Sequence, residues 1–467
     1  MIGVRKPDWS EPLGEAFRLA TAFLSGLPER PVAGSATRAG LTEALGGPLP
    51  ETGEDPARVI AALAAAAEPG LLASPSGRFF GFVIGGVTPA ALATDWLTST
   101  WDQNAGLYAA GPASAVVEEI TAGWLTKLFG LPASASVGFV TGAQMAHVTC
   151  LAAARHQVLR QAGWDVETDG LTGAPAIAVY AGADRHSTID RALRFLGLGS
   201  AALVPVAVDG QGRMHTDALR AALSERSGPA IVCAQVGHIN TGAIDPVGDI
   251  CAIGHEAGAW VHVDGAFGLW AAASPALRPL LAGVEQADSW ATDAHKWLNV
   301  PYDSGLAICA HPDAHRTAMG VRASYLIHGV DDERDALEYV PEFSRRARGF
   351  AVYAGLRALG RSGVQELVER CCALARRFAQ QLDGQSNVEL LNEVVLNQVL
   401  VRFLAADGDH DRHTREVVKR IQADGTCWTS GTTWRGAAAM RISVSNWSTD
   451  EDDVDRSVEA ILRCATP

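Results

Sequence analysis

The stretch that decides the fold class is Trp260-Val-His-Val-Asp264-Gly-Ala-Phe267, and Ala287-Asp-Ser-Trp-Ala-Thr-Asp-Ala-His-Lys296-Trp-Leu-Asn299 follows it. The first segment has the form of a buried strand that ends in an acidic residue. Lys296 comes about thirty residues after Asp264, just past a second predicted strand. Open α/β sheets bind ligands at the carboxyl ends of their strands. We therefore expect Asp264 and Lys296 to lie at one ligand-binding edge.

Helical patterns alternate with short apolar runs on both sides of this stretch, from about residue 113 to 310. The predicted elements are helix 143–162, strand 176–180, helix 187–197, strand 202–206, helix 216–226, strand 230–236, helix 246–258 and strand 260–264. Such alternation is typical of an α/β fold with a mainly parallel sheet covered by helices.

Three regions are predicted along the chain. Residues 1–75 are alanine-rich and helical, and Pro-Gly and Ser-Pro-Ser-Gly breaks close this N-terminal arm. Residues 76–335 form the large domain. Residues 336–467 form a small α+β domain, which begins with a long helical pattern over about 346–383.

Composition excludes several classes of function. The chain has 467 residues, of which 48% are hydrophobic and 19% charged, as in a globular enzyme. The net charge of −14 and the lack of a basic cluster argue against nucleic-acid binding. No apolar run reaches membrane-spanning length, so we expect a cytoplasmic protein. The eight scattered cysteines have no zinc spacing and predict neither a metal site nor disulfides.

Lys296 is the lysine most suited to chemistry. Only four of the 38 basic residues are lysines, and Lys296 is flanked by Trp297 and Leu298. A confined apolar site lowers the pKa of a lysine and so supplies the neutral amine that attacks an aldehyde. A carboxylate at Asp264 can pair with a protonated pyridine nitrogen. The alternatives are an exposed lysine and an aspartate that caps a helix.

Two further segments complete the predicted site. Thr141-Gly142-Ala143-Gln144 opens the helix 143–162, and the free N–H groups of a helix start favour an anion such as a phosphate. Ordinary helix capping is the alternative. His186 follows the strand 176–180, at the same edge of the sheet, where it can stack on a cofactor ring or serve a structural role.

Three motifs together resemble a known family. They are Asp184-Arg-His-Ser-Thr-Ile-Asp-Arg-Ala192, His262-Val-Asp-Gly-Ala-Phe267 and Asp288-Ser-Trp-Ala-Thr-Asp-Ala-His-Lys-Trp297. In order and spacing they are similar to the motifs of the group II decarboxylases that depend on pyridoxal 5'-phosphate (PLP). That family includes aromatic-amino-acid and glutamate decarboxylases. The resemblance implies PLP as cofactor and the fold type I architecture of the aminotransferase superfamily.

The resemblance also implies roles for single residues around the PLP ring. Lys296 corresponds to the Schiff-base lysine and Asp264 to the partner of the pyridinium nitrogen. His186 corresponds to the histidine that stacks on the ring and can take part in catalysis, and Ala266 packs beneath the ring. Asn240 lies near the ring hydroxyl or the substrate.

Other matched residues surround the phosphate and the substrate. Ala143, Gln144 and His295 lie near the phosphate by resemblance. Arg441 resembles the arginine that receives a carboxylate in aminotransferases, with a structural ion pair as the alternative. The aromatic residues Phe82, Trp101 and Tyr108 fall in a stretch that borders the substrate pocket in relatives, although a role in the core is as good an explanation.

Two features depart from the family pattern. Asp293 places a carboxylate where many members have an amide that faces the phosphate. The mobile loop that supplies a proton-donating tyrosine in relatives is matched here by Tyr339, or else by Tyr325, and neither aligns without a shift.

The implied reaction is α-decarboxylation of an L-amino acid, and an aromatic side chain is permitted but not required. The implied assembly is a homodimer with active sites shared at the interface. Oxidative decarboxylation–deamination, transamination and C–C cleavage stay open as alternatives. A PLP-binding protein without turnover is a remote one.

Overall fold

The computed structural model describes residues 8–321 and 333–466. The helices are α1 (Ser10–Gly26), α2 (Arg38–Leu45), α3 (Pro56–Ala67), α4 (Pro89–Trp101), α5 (Pro112–Phe129), α6 (Ala143–Gln161), α7 (Val166–Asp169), α8 (Ser187–Phe195), α9 (Thr216–Ser224), α10 (Val247–Glu256), α11 (Pro312–Met319), α12 (Gly349–Leu382), α13 (His410–Asp424) and α14 (Glu451–Ala465). The strands are β1 (Ser136–Val140), β2 (Ala178–Gly182), β3 (Leu203–Val206), β4 (Ala230–Gln235), β5 (Trp260–Asp264), β6 (Ser289–Asp293), β7 (Gly305–Cys309), β8 (Val388–Leu390), β9 (Gln398–Phe403), β10 (Ser430–Trp434) and β11 (Ala437–Ser443).

The large sheet has seven strands in the order β1-β7-β6-β5-β4-β2-β3. Strands β3, β2, β4, β5 and β6 are parallel neighbours, whereas β7 is antiparallel to both β6 and β1. All five residues of β5 are buried, as are all five of β6. This confirms the predicted α/β fold with a mainly parallel sheet.

The register of the central strands explains where a site can form. Gln235 pairs with Asp264, and Asp264 pairs with Ala291, so the carboxyl ends of β4, β5 and β6 lie side by side. Asp293 is the last residue of β6 and lies at the same edge. Asp264 and Asp293 therefore lie on neighbouring strands at one edge of the sheet.

The C-terminal part of the chain builds a second sheet of four antiparallel strands, ordered β10-β11-β9-β8. An earlier segment joins this part: the N–H of Phe80 donates to the Trp428 carbonyl at 2.8 Å, and the N–H of Ser443 donates to the Phe80 carbonyl at 3.0 Å. Helix α12 contacts both α5 and α14, and Gly360 interrupts it with a φ of 64°.

The N-terminal helices are the least covered part of the structure. None of the residues of α1, α2 or α3 is fully buried. Apolar side chains on α1 and α3, and Trp9 just before α1, face solvent in the single chain: Trp9 is 67% exposed, Phe17 61% and Leu63 59%. Among the described residues, no helix has the length and apolar character needed to cross a membrane.

Candidate active site

Lys296 lies in the turn that follows β6, at the carboxyl edge of the large sheet. Its Nζ is 2.9 Å from Oδ2 of Asp293, and its side chain is 18% exposed. The next two side chains, Trp297 and Leu298, are buried. The turn thus presents one reachable amine from an otherwise apolar segment.

Asn299 fixes this turn. It has a φ of 56°, a left-handed conformation that asparagine tolerates better than most residues. Its Nδ2 donates to the carbonyls of Trp297 and Ser445, each at 3.0 Å, and its Oδ1 accepts the N–H of Trp447 at 2.9 Å. The lysine turn is therefore anchored to the C-terminal part of the chain.

Asp264 is a buried carboxylate at the end of β5. Its Oδ1 accepts the N–H of Ala266 at 3.1 Å. Burial raises the pKa of Asp264, but His147, His186, Lys296 and the Ala266 N–H outweigh this, so the net effect is a lowered pKa. Among the described residues, no arginine or lysine lies within ion-pair distance of this carboxylate. A buried anion of this kind favours a cationic ligand, which a pyridinium nitrogen would supply.

His186 lies between Asp264 and the C-terminal arginine Arg441. It is the N-cap of α8, and its Nδ1 accepts the N–H of Thr188 at 3.3 Å, so the proton of the neutral ring is on Nε2. Burial lowers the pKa of His186, and the charges of Lys296 and Arg441 lower it further, against the opposing effect of Asp264. The ring is therefore neutral at pH 7.

The start of α6 forms the side of the site next to Lys296. The N–H of Ala143 donates to Oδ1 of Asp293 at 2.6 Å, and the Gln144 side chain donates to the Thr188 carbonyl at 3.2 Å. The other N–H groups of a first helical turn have no carbonyl partner within the helix and favour an anion. Thr141 and Gly142 come between this helix and the end of β1.

Asp293 is also contacted by the side chain of His295 and by the backbone of Ala266. Nε2 of His295 is 3.4 Å from Oδ1 of Asp293, and Nδ1 of His295 accepts the N–H of Ser304 at 3.1 Å. Burial lowers the pKa of His295. The Ala266 carbonyl accepts the N–H of Asp293 at 2.9 Å. The loops after β5 and β6 are thus joined at the site.

Arg441 and Asn240 form a second polar pair. Nη1 of Arg441 is 3.3 Å from Oδ1 of Asn240, which also accepts the hydroxyl of Thr432 at 3.1 Å. Arg441 is 8% exposed, and burial lowers its pKa to about 10. No carboxylate of the described residues lies within ion-pair distance of it, which removes the structural ion pair that was the alternative interpretation. A buried guanidinium without a carboxylate is suited to an anionic ligand.

Tyr339 is not brought to this site within the single chain, and its assignment as proton donor stays a prediction. Its ring packs edge-on against His315, with centroids 5.4 Å apart, and under the guanidinium of Arg334 at 4.4 Å. His315 is hydrogen-bonded at 2.8 Å to Ser136, the first residue of β1. The site lies at the other end of β1, where Gly142 comes shortly after the last residue of the strand, Val140. The ring therefore lies at the opposite end of that strand. Tyr325, the second candidate, lies outside the described residues.

The three aromatic residues expected near the substrate make their contacts elsewhere in the single chain. Phe82, at a φ of 56°, lies against Trp428 at 5.3 Å, and Trp101 lies edge-on to Phe350 at 5.1 Å. The N–H of Tyr108 donates to Asp335 at 2.8 Å. Phe82 is 56% exposed and Trp101 45%, so both rings remain accessible.

Sequence reasoning missed two side chains at this edge. His147, on α6, has its Nε2 3.6 Å from Oδ1 of Asp264. The ring of Tyr302 stacks on that of His295 at 4.2 Å. The one available signal for His147 was a histidine within the Ala-rich pattern of a buried helix. Tyr302 comes shortly after Asn299, the last residue of the lysine segment.

The arrangement fits PLP. It combines an accessible amine, a buried ionised carboxylate without a basic partner, a neutral imidazole and a helix start suited to a phosphate. Lys296 would hold the aldehyde carbon, Asp264 the ring nitrogen, and the first turn of α6 the phosphate.

Comparison with known proteins agrees with this fit. The family described as "Pyridoxal-dependent decarboxylase conserved domain" matches residues 41–404. Tryptophan decarboxylase 1 of Oryza sativa subsp. japonica is 28% identical over 430 residues, which cover 85% of this chain and 82% of the relative. The 4-hydroxyphenylacetaldehyde synthase of Rhodiola rosea is 24% identical, over 93% of this chain and 90% of the relative.

Similarity to a solved structure supports the fold. A crystal structure of Oryza sativa TDC with PLP and tryptamine superposes with a TM-score of 0.92 at 24% identity, covering 100% of this chain and 99% of that one. The fold type I architecture implied by the sequence motifs is confirmed.

Proposed function

The chain belongs to the pyridoxal-dependent decarboxylase family, and we propose that Lys296, Asp264 and His186 carry its reaction. It is a PLP-dependent lyase that removes the α-carboxylate of an L-amino acid. The observation that supports the residue assignment best is the buried, ionised Asp264, which has no lysine or arginine within ion-pair distance among the described residues and whose pKa the charge of Lys296 lowers.

Bound PLP supplies an electron-poor ring that accepts the electrons left when the carboxylate departs. Asp264 would keep a proton on the ring nitrogen, because this carboxylate is buried and its own pKa is lowered. His186 stays neutral and can cover one face of the ring without adding a like charge. Lys296 would hold the cofactor through its amine.

Arg441 is proposed to contact a carboxylate of the substrate. Its guanidinium is buried and has an amide oxygen as neighbour but no carboxylate among the described residues. Asn240 orients it at 3.3 Å. Because a similar protein is named tryptophan decarboxylase 1, an aromatic amino acid is the first substrate to test.

The deciding experiment incubates the PLP-loaded enzyme with a panel of aromatic, acidic and basic L-amino acids. Carbon dioxide, amine, aldehyde, ammonia and peroxide are measured in the same reactions. Amine and carbon dioxide in equal amounts from at least one substrate support the proposal. Ammonia without carbon dioxide from every substrate would contradict it.

Oxidative decarboxylation is the second candidate. After carbon dioxide leaves, an acid must protonate the substrate carbon before oxygen reacts there. Within the single chain Tyr339 lies at the other end of β1 from the site, and the similar Rhodiola rosea protein is named an aldehyde synthase. Stoichiometric consumption of oxygen by the wild-type enzyme would favour this candidate over simple decarboxylation.

A homodimer is the proposed assembly. The apolar side chains of α1 and α3 are exposed in the single chain, and burying them against a second copy would remove that surface from water. Sedimentation at micromolar concentration tests this. A fully active monomer would contradict an active site shared between subunits.

A cytoplasmic, reducing compartment is also proposed. Each of the eight cysteines is buried and unpaired in the structure. Reduced, scattered thiols are the usual state in such a compartment. Localisation of the tagged full chain in its own cells tests this.

A further inference from the structure

A chain of hydrogen bonds runs behind Asp264, away from the side where the cofactor would lie. Nε1 of Trp260 is 2.9 Å from Oγ of Ser289, which is 2.9 Å from Nδ1 of His262. Nε2 of His262 is 2.9 Å from Nδ1 of His147, whose Nε2 faces Oδ1 of Asp264 at 3.6 Å. All five residues are buried, and the two histidines and the serine have no exposed surface at all.

The groups at the two ends of this series of hydrogen bonds fix the direction in which its protons are donated. The indole N–H of Trp260 can only donate, so Ser289 accepts there and has its own proton left for His262. A carboxylate without a proton, at Asp264, can only accept. A neutral histidine between them carries one proton, so each ring accepts on Nδ1 and donates from Nε2.

Both rings are neutral at physiological pH. Burial lowers the pKa of His262 to about 3, with a further lowering from His147. Burial also lowers the pKa of His147, and this outweighs the opposite effect of Asp264. The reverse order of protons would point the lone pair of His147 at the carboxylate, which like partial charges disfavour.

We propose that His147 is a positioning residue, which presents its Nε2–H to Asp264 and so keeps that carboxylate ionised and aimed at the ring nitrogen of the cofactor. The histidine acts through Asp264 and touches neither cofactor nor substrate. His262 and Ser289 set the tautomer that makes this possible. The inference rests on the proposed role of Asp264.

The other titratable groups that face Asp264 do not offer the same contact. The Cys233 thiol on β4 has a pKa raised by burial, so it stays protonated and weakly polar at neutral pH. His186 and Lys296 lie on the cofactor side. Asp293 adds a second negative charge near His147. His147 is thus the neutral donor behind the carboxylate.

Cys150 is the titratable group at the far end, beside Ser289. Its pKa is raised by burial, and its Sγ lies 3.5 Å from the Trp290 carbonyl and 3.6 Å from that of Ile308. The thiol therefore has acceptors of its own for its proton. Ser289 also makes a hydrogen bond that lowers the pKa of Cys150 against the effect of burial, so its hydroxyl lies between this thiol and His262.

The test uses full-length variants loaded with PLP labelled with 15N in the ring, and the ring-nitrogen signal is followed by NMR. His147→Leu removes the donor, and we expect the signal to move toward the unprotonated position. We expect kcat to fall on the order of ten-fold, the equivalent of about one pKa unit of lost interaction, with KM little changed. His147→Gln, whose amide can donate from a similar position, should restore much of both.

Ser289→Ala distinguishes a directional chain from simple contact. It lies three links away from Asp264, and its loss frees His262 and His147 to change tautomer, so the signal should move in the same direction by a smaller amount. The matched control is His156→Leu, which removes another buried histidine of α6 that pairs with Glu167. That variant should keep the wild-type signal.

The outcomes separate this inference from the proposed function. An unchanged signal in His147→Leu overturns the role of His147. A signal that moves in His147→Leu but not in Ser289→Ala overturns the directional chain. If His147→Leu fails to fold, Ser289→Ala and His147→Gln decide. An unchanged signal in Asp264→Ala would instead mean that the proposed role of Asp264 is wrong.

Discussion

The amine of Lys296 and the carboxylate of Asp293 are 2.9 Å apart, and the other oxygen of that carboxylate accepts the Ala143 N–H at 2.6 Å. One side chain therefore links the cofactor lysine to the helix start proposed to bind the phosphate. It places a negative charge where a dianion must come close.

Asp293→Asn should raise the affinity for PLP by about five-fold, because it removes about 1 kcal/mol of repulsion near a helix N-terminus and keeps an oxygen for Ala143. Titration of the apoenzyme with PLP measures this. Asp293→Ala is the comparison, since it also removes the acceptor. An affinity of Asp293→Asn below that of the wild type would contradict the phosphate assignment.

Lys296→Ala should lose the visible absorbance of covalently bound PLP, because no other described lysine lies at the carboxyl edge of the sheet. Lys296→Arg should fail equally, since guanidinium stays protonated and cannot form the imine. Lys127→Ala, at the end of α5, is the control and should keep the band. A band in Lys296→Ala that borohydride still reduces would show that another group holds the cofactor.

Asp264→Ala should keep part of its PLP through the phosphate contacts but lose nearly all turnover, on the order of a thousand-fold or more, because an unprotonated pyridine accepts electrons poorly. Bound PLP is measured by its absorbance after gel filtration, and turnover by released carbon dioxide. Turnover near the wild-type rate would mean that the ring nitrogen has another partner.

Tyr339→Phe should leave the ratio of amine to aldehyde as in the wild type, because its ring packs on His315 and Arg334 away from the site. Tyr325→Phe is the paired variant, and we expect it to shift an amine-forming enzyme toward aldehyde, ammonia and oxygen consumption. The ratio is measured by chromatography together with an oxygen electrode. A shift in Tyr339→Phe alone would restore that residue as the acid.

His315 should make the protein sensitive to acid. Burial lowers its pKa to about 3, so its neutral form stabilises the folded state above pH 6.5, and this contribution is lost as the pH falls toward 3. The loss is up to about 1.4 kcal/mol per pH unit. His315→Gln should reduce the slope of the unfolding free energy against pH by that amount in urea titrations between pH 7 and 4.5.

Ser136→Ala is the control for this prediction. It removes the hydrogen-bond partner of His315 at 2.8 Å but leaves the histidine buried, so the acid slope should stay. Equal slopes in the wild type and His315→Gln would mean that other groups carry the acid sensitivity.

The elements were predictable wherever apolar periodicity was strong. The helix predicted over 143–162 is α6 at Ala143–Gln161, and the strand predicted over 260–264 is β5 at Trp260–Asp264. The direction of β7 was not predictable, because the apolar run Gly305–Cys309 contains no information on which way the chain returns. Its antiparallel pairing with β6 depends on the short turn after Lys296.

The site was predictable in part. Residues at strand ends, such as Asp264 and Lys296, could be placed together because parallel strands share an edge. The distance of Tyr339 from the site in the single chain could not be predicted, because its position depends on packing against His315, which no local pattern shows. His147 was missed because its contact with Asp264 crosses from a helix to a strand more than a hundred residues away.

The asparagine that follows the lysine turn has a consequence for engineering. Asn299 bonds to the backbone of both Ser445 and Trp447, so one short segment of the C-terminal part holds the lysine turn in place. A chimera that takes its last hundred residues from a relative would have to reproduce the path of the backbone at these two positions. Without it, the graft could fold well and still leave the lysine out of place.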